Sequence, residues 1–465
     1  MFRTLRGAKR ATDALSGAMH LHRRILLGLA LGAVLGIVVN VLMGAGHPLV
    51  VRANHWVAGP LGQVFLRSMS MVVMPLVFCS ITLGVAGIGD LRRVGRLGVL
   101  TVGYFLATTA VAGAVGLILV NVVRPGAALD ATVRADLLST FAADAAEKVA
   151  ASKSAVFGID TFVQIVTRNP LKSAVDNDML GVIFFALVFG AALTLITQAR
   201  AKPLVDVLSA TNDVTVKMVE IAMKVAPAGV AGLIFGVTSR FGFAVLEPLG
   251  LFVFIVLLGL GLHAALLMVF VVKLGAGLSP RVFLSRVRPS LITAFSTSSS
   301  SATLPTNIAL AEDRLGISPR VAGFVLPIGS TMCMNGTALF EGVTVIFLCQ
   351  VFAVDLSLAQ MVIILVMSVL TAVGAAGVPG GSIPLLVGIL ALFGVPGEGI
   401  AIVIGVDRLL DMARTTVNVL GDLSCVVLVA RTEDSWTPAS LPPDSAVPLD
   451  QSPGWPAPGD VQPRV

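Results

Sequence analysis

Apolar runs of about 20 residues recur along nearly the whole of this 465-residue chain, and they restrict what it can fold into more than any other feature. Roughly 20 residues of α-helix span the hydrocarbon layer of a bilayer, so the runs predict one helical bundle in lipid rather than a set of soluble domains. Only 12% of residues are charged, about half the share of a soluble chain, and 56% are hydrophobic, with a mean hydropathy of +0.94. The formal charge of +6 does not point to nucleic acid, because the basic residues sit in short clusters between apolar runs instead of forming one stripe. Cys79, Cys333, Cys349 and Cys425 lack the paired spacing of a zinc site or disulfide framework and read as buried thiols.

The basic clusters set a topology. Arg3, Arg6, Lys9, Arg10, Arg23 and Arg24 precede the first apolar run against one acid, Asp13, which places residues 1–24 in the cytoplasm. No convincing cleavage site follows, so the first span reads as retained. Six spans are expected at about 25–45, 59–88, 97–123, 178–198, 212–237 and 243–275. Arg92, Arg93 and Arg96 follow the second, Arg200 and Lys202 the fourth, and Lys273, Arg281, Arg286 and Arg288 the sixth, so basic linkers fall on one side. Residues 127–178 mix acids with bases and suit an outer loop with short amphipathic helices. The segment 432–465, rich in Pro, Ser and Asp, reads as a disordered cytoplasmic tail.

Residues 284–431 follow a different pattern and are read as a transport core. Here apolar stretches are broken midway by tracts too short to be water-exposed loops. Thr297 to Ser301 interrupts one, between Leu291–Phe295 and Leu304–Pro305, and Gly377 to Ser382 interrupts another; each break predicts a re-entrant hairpin followed by a long helix, at about 321–349 and 399–430. Non-helical backbone at membrane depth survives only where protein or a water-filled cavity supplies hydrogen-bond partners, and a matched pair of broken segments points to a transporter binding site.

In the last helix Asp407, Asp411, Arg414, Asn418 and Asp422 fall within roughly 80° of arc. A charged side chain at mid-bilayer costs about 2.5–3.5 kcal/mol on insertion scales, so this face must meet partners, ions or water. An internal ion-pair ladder that ties helices together is the plain structural alternative, but it needs neither the acid excess nor the broken neighbours. The guanidinium of Arg414 matches a carboxylate bidentately, Asp411 can accept from an ammonium group, and Asp422 with Asn418 offers hard oxygens to a small cation such as Na⁺. The serine run adds hydroxyls and free backbone N–H groups suited to an anion. In the penultimate helix Gly336 invites local unwinding, which would turn the Thr337 hydroxyl toward a ligand. A lone carboxyl inside an apolar helix is costly as an anion, so Glu341 is either a proton carrier or a packing residue with a hydrogen bond to a neighbouring helix.

Four motifs, SSSSATLP (298–305), MNGTALFE (334–341), GVPGG (377–381) and DRLLDMARTTVNVLGD (407–422), occur in an order that resembles the dicarboxylate/amino acid:cation symporters, over roughly residues 20–431. The resemblance implies an all-α multi-pass inner-membrane protein with eight transmembrane helices, two re-entrant hairpins and inverted repeats, both termini being cytoplasmic. It implies a homotrimer in which a mobile domain moves against a scaffold, with the second hairpin as the outer gate, and a small acidic solute as cargo. By motif position, Arg414 would read the side-chain carboxylate and Asp411 the amino group. Asn418, Thr415, Thr337, Ser298, Ser300, Val378 and Ser382 would complete the pocket. Gly329, Asn418 and Asp422 would form one Na⁺ site, and Thr331 with Ala372, Val373 and Ala375 a second.

Two departures from the family pattern bear on coupling. Cys333 and Asn335 stand where the family commonly has Asn and Asp, beside Phe105, Thr108 and Thr109, which implies fewer Na⁺ ions per cycle or proton coupling through Glu341. Ser298 stands where archaeal members carry an arginine, a charge that Arg408 would replace. No organic cofactor is expected, only Na⁺ and/or H⁺ as coupling ions. The competing readings are a neutral amino acid symporter or exchanger, which Arg414 disfavours, and an uncoupled anion channel. An intramembrane enzyme is disfavoured by the want of any Ser/His, paired-Asp or metal-ligand constellation, His263 being the one histidine in an expected span.

Overall fold

The computed structural model describes residues 24–25, 27–94, 96–129, 166–175, 179–374, 382–395, 397–433 and 436–441, and every regular element among them is helical. Helix α1 (Leu27–Met43) is followed by α2 (Pro48–Ala53), which continues through a wide turn at Asn54–Ala58 into α3 (Gly59–Ser70). Then come α4 (Val73–Val94), α5 (Arg96–Val123), α6 (Pro170–Val175), α7 (Met179–Leu195), α8 (Gln198–Phe241) and α9 (Leu246–Leu266). The remainder comprises α10 (Pro280–Thr297), α11 (Ser300–Asp313), α12 (Pro319–Met332), α13 (Asn335–Val351), α14 (Leu358–Gly374), α15 (Ile383–Leu392) and α16 (Ala401–Thr432).

Five helical stretches among the described residues are long and apolar enough to cross a membrane: Arg96–Ala127, Gln198–Ala244, Leu246–Gly275, Pro319–Val351 and Val406–Thr432. On α1, by contrast, Leu27, Leu31, Val34, Leu35, Val38, Val41 and Leu42 are exposed. An apolar face of this kind is stable in lipid and is a liability in water. The chain is a multi-pass membrane protein.

Three expected boundaries are corrected. The span at 59–88 is two helices, because residues 71–72 form a turn between α3 and α4. The 198–212 linker does not exist: α8 runs unbroken for 44 residues, about 66 Å at 1.5 Å per residue, so it extends well beyond one bilayer thickness. Arg200 and Lys202 lie in its opening turns, and Lys202 pairs with exposed Asp206 one turn on at 2.9 Å. Finally, residues 436–441 are not part of a free tail. Trp436 is buried, its indole N–H donates to the carbonyl of Leu315 at 2.5 Å, and Leu441 packs on the same apolar core. Residues 1–23, most of 127–178 and 442–465, expected to be a cytoplasmic N-terminus, an outer loop and a tail, lie outside the described residues.

The most enclosed helices carry the most polar groups. The best apolar window of the α12–α13 stretch is 100% buried and that of α16 is 78% buried, against 33% for α5. A helix buried on all sides is normally apolar all round, so polar residues at the centre of this bundle have to be satisfied by one another or by cargo. α10 and α11 form the first hairpin, with only Ser298 and Ser299 between them, and both pack on α16, as do α12 and α13.

Candidate functional site

The charged face of α16 is buried: Asp407, Arg408, Asp411 and Arg414 are each no more than 5% exposed. Arg414 Nη1 meets Asp407 Oδ1 at 3.1 Å, while Nε and Nη2 meet Asp411 Oδ1 at 2.9 and 2.8 Å. Arg408 Nη1 donates to Asp411 Oδ2 at 3.0 Å. These pairs run along α16 at i,i+3 and i,i+7, so they do not serve as a ladder tying one helix to another. Two arginines against two aspartates make the group neutral, which lets it exist out of water. The Arg414 guanidinium also lies 4.4 Å from the ring centroid of Phe340 on α13. Phe340 was missed in the sequence, where one more aromatic in an apolar helix carries no signal.

One turn further along, Asn418 holds the break between α12 and α13. Its Oδ1 accepts from the Gly336 N–H at 2.7 Å and its Nδ2 donates to Thr337 Oγ1 at 3.2 Å and to the Met334 sulfur at 3.2 Å. The chain leaves helical geometry at Cys333 (φ −85°, ψ 75°) and Met334 (φ −108°, ψ 47°), not at Gly336, which is already inside α13. Gly336 serves a different purpose: a Cβ there would sit 2.5 Å from the Arg414 carbonyl oxygen, so glycine lets the start of α13 press against α16. The Thr337 hydroxyl meets Asn418 of α16, a contact that the expectation of unwinding at Gly336 toward a ligand did not include, and residue 336 itself stays helical.

Asp422 is 0% exposed and neither carboxylate oxygen has a conventional hydrogen-bond partner. Its surroundings are the Cα of Gly329, where a Cβ would fall 2.5 Å from Oδ1, and the weakly donating thiol of Cys333. A bare buried carboxylate is costly unless a cation meets it. Nearby, Asn335 Oδ1 accepts from Thr109 Oγ1 at 2.8 Å and Thr108 Oγ1 at 3.3 Å. The residues Thr108, Thr109 and Asn335 are thus brought together, but with the hydroxyls donating to the amide.

The profile of the sodium:dicarboxylate symporter family matches residues 21–432. The chain belongs to that family. It is 34% identical over 415 residues to the proton/glutamate-aspartate symporter of Escherichia coli (strain K12), covering 88% of this chain and 92% of that relative. Similar figures hold for the proton/sodium-glutamate symport protein of Bacillus subtilis (strain 168), at 34% over 421 residues, covering 90% and 95%. The C4-dicarboxylate transport protein of the same organism is 30% identical over 417 residues, covering 90% and 96%.

Within this family member the remaining expected site residues are placed unevenly. Ser298 turns the first hairpin in the left-handed conformation (φ 50°), buried, with its hydroxyl unpartnered; Ser300 is the buried first residue of α11. Thr415 is buried on α16, and Ser382 is buried with an unpartnered hydroxyl at the start of α15. Val378 and Ala375 lie outside the described residues. Thr331 is exposed and donates back to Ile328 O at 3.0 Å, while Ala372 packs against Met334 and Ala338 and Val373 against the core around α12. Glu341 is fully buried on α13; its Oε2 accepts from Thr371 Oγ1 of α14 at 2.5 Å, and Oε1 is unpartnered. The neighbouring-helix hydrogen bond and an unfilled acceptor therefore coexist at one carboxyl.

Proposed function

We propose that the chain is a secondary active symporter for acidic amino acids or C4 dicarboxylates, driven by Na⁺ and/or H⁺. The observation that carries this reading is the neutral, buried cluster around Arg414, whose guanidinium fork is occupied by two carboxylates of its own helix. Those internal partners are what a substrate with two carboxylates and an ammonium group can replace: one carboxylate takes the fork of Arg414, and the ammonium takes Asp411. Exchange of like for like keeps the buried charge count low, which an uncompensated anion would not. Glutamate, aspartate and C4 dicarboxylates, named for the relatives above, share the two carboxylates on a short chain.

Asn418, Thr415, Thr337, Ser298, Ser300, Val378 and Ser382 would form the rest of the pocket, with backbone N–H groups at the hairpin turns meeting the second carboxylate. Asp422, with carbonyls around Gly329 and the Asn418 amide, would hold one cation; Thr331 with Ala372, Val373 and Ala375 is a weaker candidate for another, since the Thr331 hydroxyl is spent on its own helix. Glu341 would carry the proton. The scaffold we infer has eight transmembrane helices and two re-entrant hairpins in inverted repeats, with residues 284–431 as the mobile core. It assembles as a homotrimer in the inner membrane, termini cytoplasmic, and works by elevator-type alternating access.

Uptake of aspartate, glutamate, succinate and alanine into proteoliposomes, with sodium and proton gradients imposed one at a time, tests the reading. Uphill accumulation of an acid under at least one gradient is expected. Movement of acids only down their own gradient, whatever cation gradient is imposed, would leave a channel in place of a symporter.

A further inference from the structure

The unusual feature of the buried polar groups near α16 is a thiol facing a bare carboxylate. Cys333, at the non-helical break after α12, is 1% exposed, and Asp422 is 0% exposed with both oxygens unpartnered. Glycines bring the two residues together: a Cβ on Gly421, the residue before Asp422, would fall 2.6 Å from Cys333 Sγ, and one on Gly329 would fall 2.5 Å from Asp422 Oδ1. Cys333 N donates to Gly329 O at 2.8 Å, which fixes thiol and carbonyl on one turn. Among the described residues Asp422 has no ion-pair partner. A thiol beside an uncompensated carboxylate gives this cavity a soft ligand as well as a hard one.

We propose that Cys333 and Asp422 together bind a thiophilic divalent cation such as Zn²⁺ or Cd²⁺ in place of the monovalent coupling ion. This rests on the reading of Asp422 as a coupling-ion ligand. The charge balance favours the exchange. With a monovalent ion the site holds one positive charge, one carboxylate and a neutral thiol, and is neutral. When M²⁺ enters, the S–H bond breaks, an M–S bond forms, and the proton leaves with the displaced monovalent ion; the site then holds two positive charges, a carboxylate and a thiolate, and is neutral again. No redox step and no co-reactant are needed. A buried site tolerates such a neutral exchange, whereas a divalent ion against Asp422 alone would leave net charge out of water. Sulfur ligation selects soft ions over Mg²⁺ or Ca²⁺. No third His, Cys, Asp or Glu completes the shell among the described residues, so affinity should fall well below that of a four-ligand structural zinc site. The consequence is a transporter that thiophilic metal blocks through its own ion site.

The test uses the full-length protein purified in detergent and titrated with Cd²⁺, reading the ultraviolet charge-transfer band of the cadmium–thiolate bond. The wild-type band should appear, vanish in Cys333→Ser and persist in Cys349→Ser. Asp422→Asn should weaken the titration by more than the roughly tenfold that loss of even a supporting residue costs a metal site. A band that survives Cys333→Ser, or no band in the wild-type protein, overturns the proposal. Sodium competition in the unmutated protein needs no variant to fold: a rightward shift of the Cd²⁺ titration with added Na⁺ places both ions in one site. If the band depends on Cys333 and Asp422 but Na⁺ does not shift it, the metal site stands and the assignment of Asp422 to sodium falls.

Discussion

Replacing Asp411 with Asn should separate the two classes of acidic substrate. Asp411 accepts charge-assisted hydrogen bonds from Arg408 Nη1 at 3.0 Å and Arg414 Nε at 2.9 Å, and Arg414 Nη2 forms an ion-pair contact with it at 2.8 Å. The near-isosteric amide removes one negative charge, so Asp407, Arg408 and Arg414 are left with a net charge of one positive out of water, and it points an NH₂ donor at guanidinium donors. Breaking a buried pair on one side costs about 3–5 kcal/mol, and the free protein should melt earlier. An acidic substrate refills part of that deficit, because each brings more negative than positive charge. Aspartate, however, also presents an ammonium group to residue 411 and loses a charged hydrogen bond worth about 1.5–3 kcal/mol, or roughly 10- to 100-fold in affinity. Succinate has no ammonium group and escapes that penalty. The assay is competition by aspartate and succinate for labelled substrate binding in purified protein, with melting temperature as the control for folding. The aspartate-to-succinate affinity ratio should fall by about tenfold or more. A variant that melts earlier yet keeps the wild-type ratio would show that Asp411 neutralises the arginines and does not contact the amino group.

Four further outcomes are expected. Arg414→Cys should abolish uptake of acidic substrates while the protein still assembles; undiminished aspartate or succinate uptake removes Arg414 from the substrate site. Asp422→Asn should raise the sodium concentration needed for substrate binding, and an unchanged sodium titration takes Asp422 out of the ion site. Glu341→Gln keeps an acceptor for the Thr371 hydroxyl but cannot release a proton, so uptake should lose its response to an imposed proton gradient; a wild-type response excludes Glu341 as the carrier. Trp436→Ala removes a buried indole and its bond to Leu315 O, and thermal unfolding in detergent should register a loss of about 3–5 kcal/mol, whereas an unchanged melting curve would show that the 436–441 segment does not brace the core.

What the linear sequence settled follows from the cost of moving polar groups out of water. Apolar runs of bilayer length and a charged face at helical spacing have few physical solutions, so the multi-pass helical class and the inward-facing stripe of Asp407, Asp411, Arg414, Asn418 and Asp422 were legible without coordinates. The serine break was legible for the same reason, and it is confirmed as a two-residue turn between α10 and α11. Boundaries fared worse where a local signal was overruled: basic residues at 200 and 202 suggested a linker, but they are compatible with the opening turns of a helix that continues for 44 residues.

Tertiary structure alone decided who meets whom. Spacing on α16 could not say that the arginines would be neutralised within their own helix, that Asn418 would hold the α12–α13 break through Gly336 and Thr337, or that Phe340 and Thr371 would face Arg414 and Glu341. Nor could it bring Cys333 to Asp422, 89 residues apart in the sequence, or fold Trp436 back onto Leu315. Helical period fixes the face on which a residue lies, while partners across helices depend on how the whole bundle packs, and close approaches such as that of Gly336 to Arg414 emerge only there.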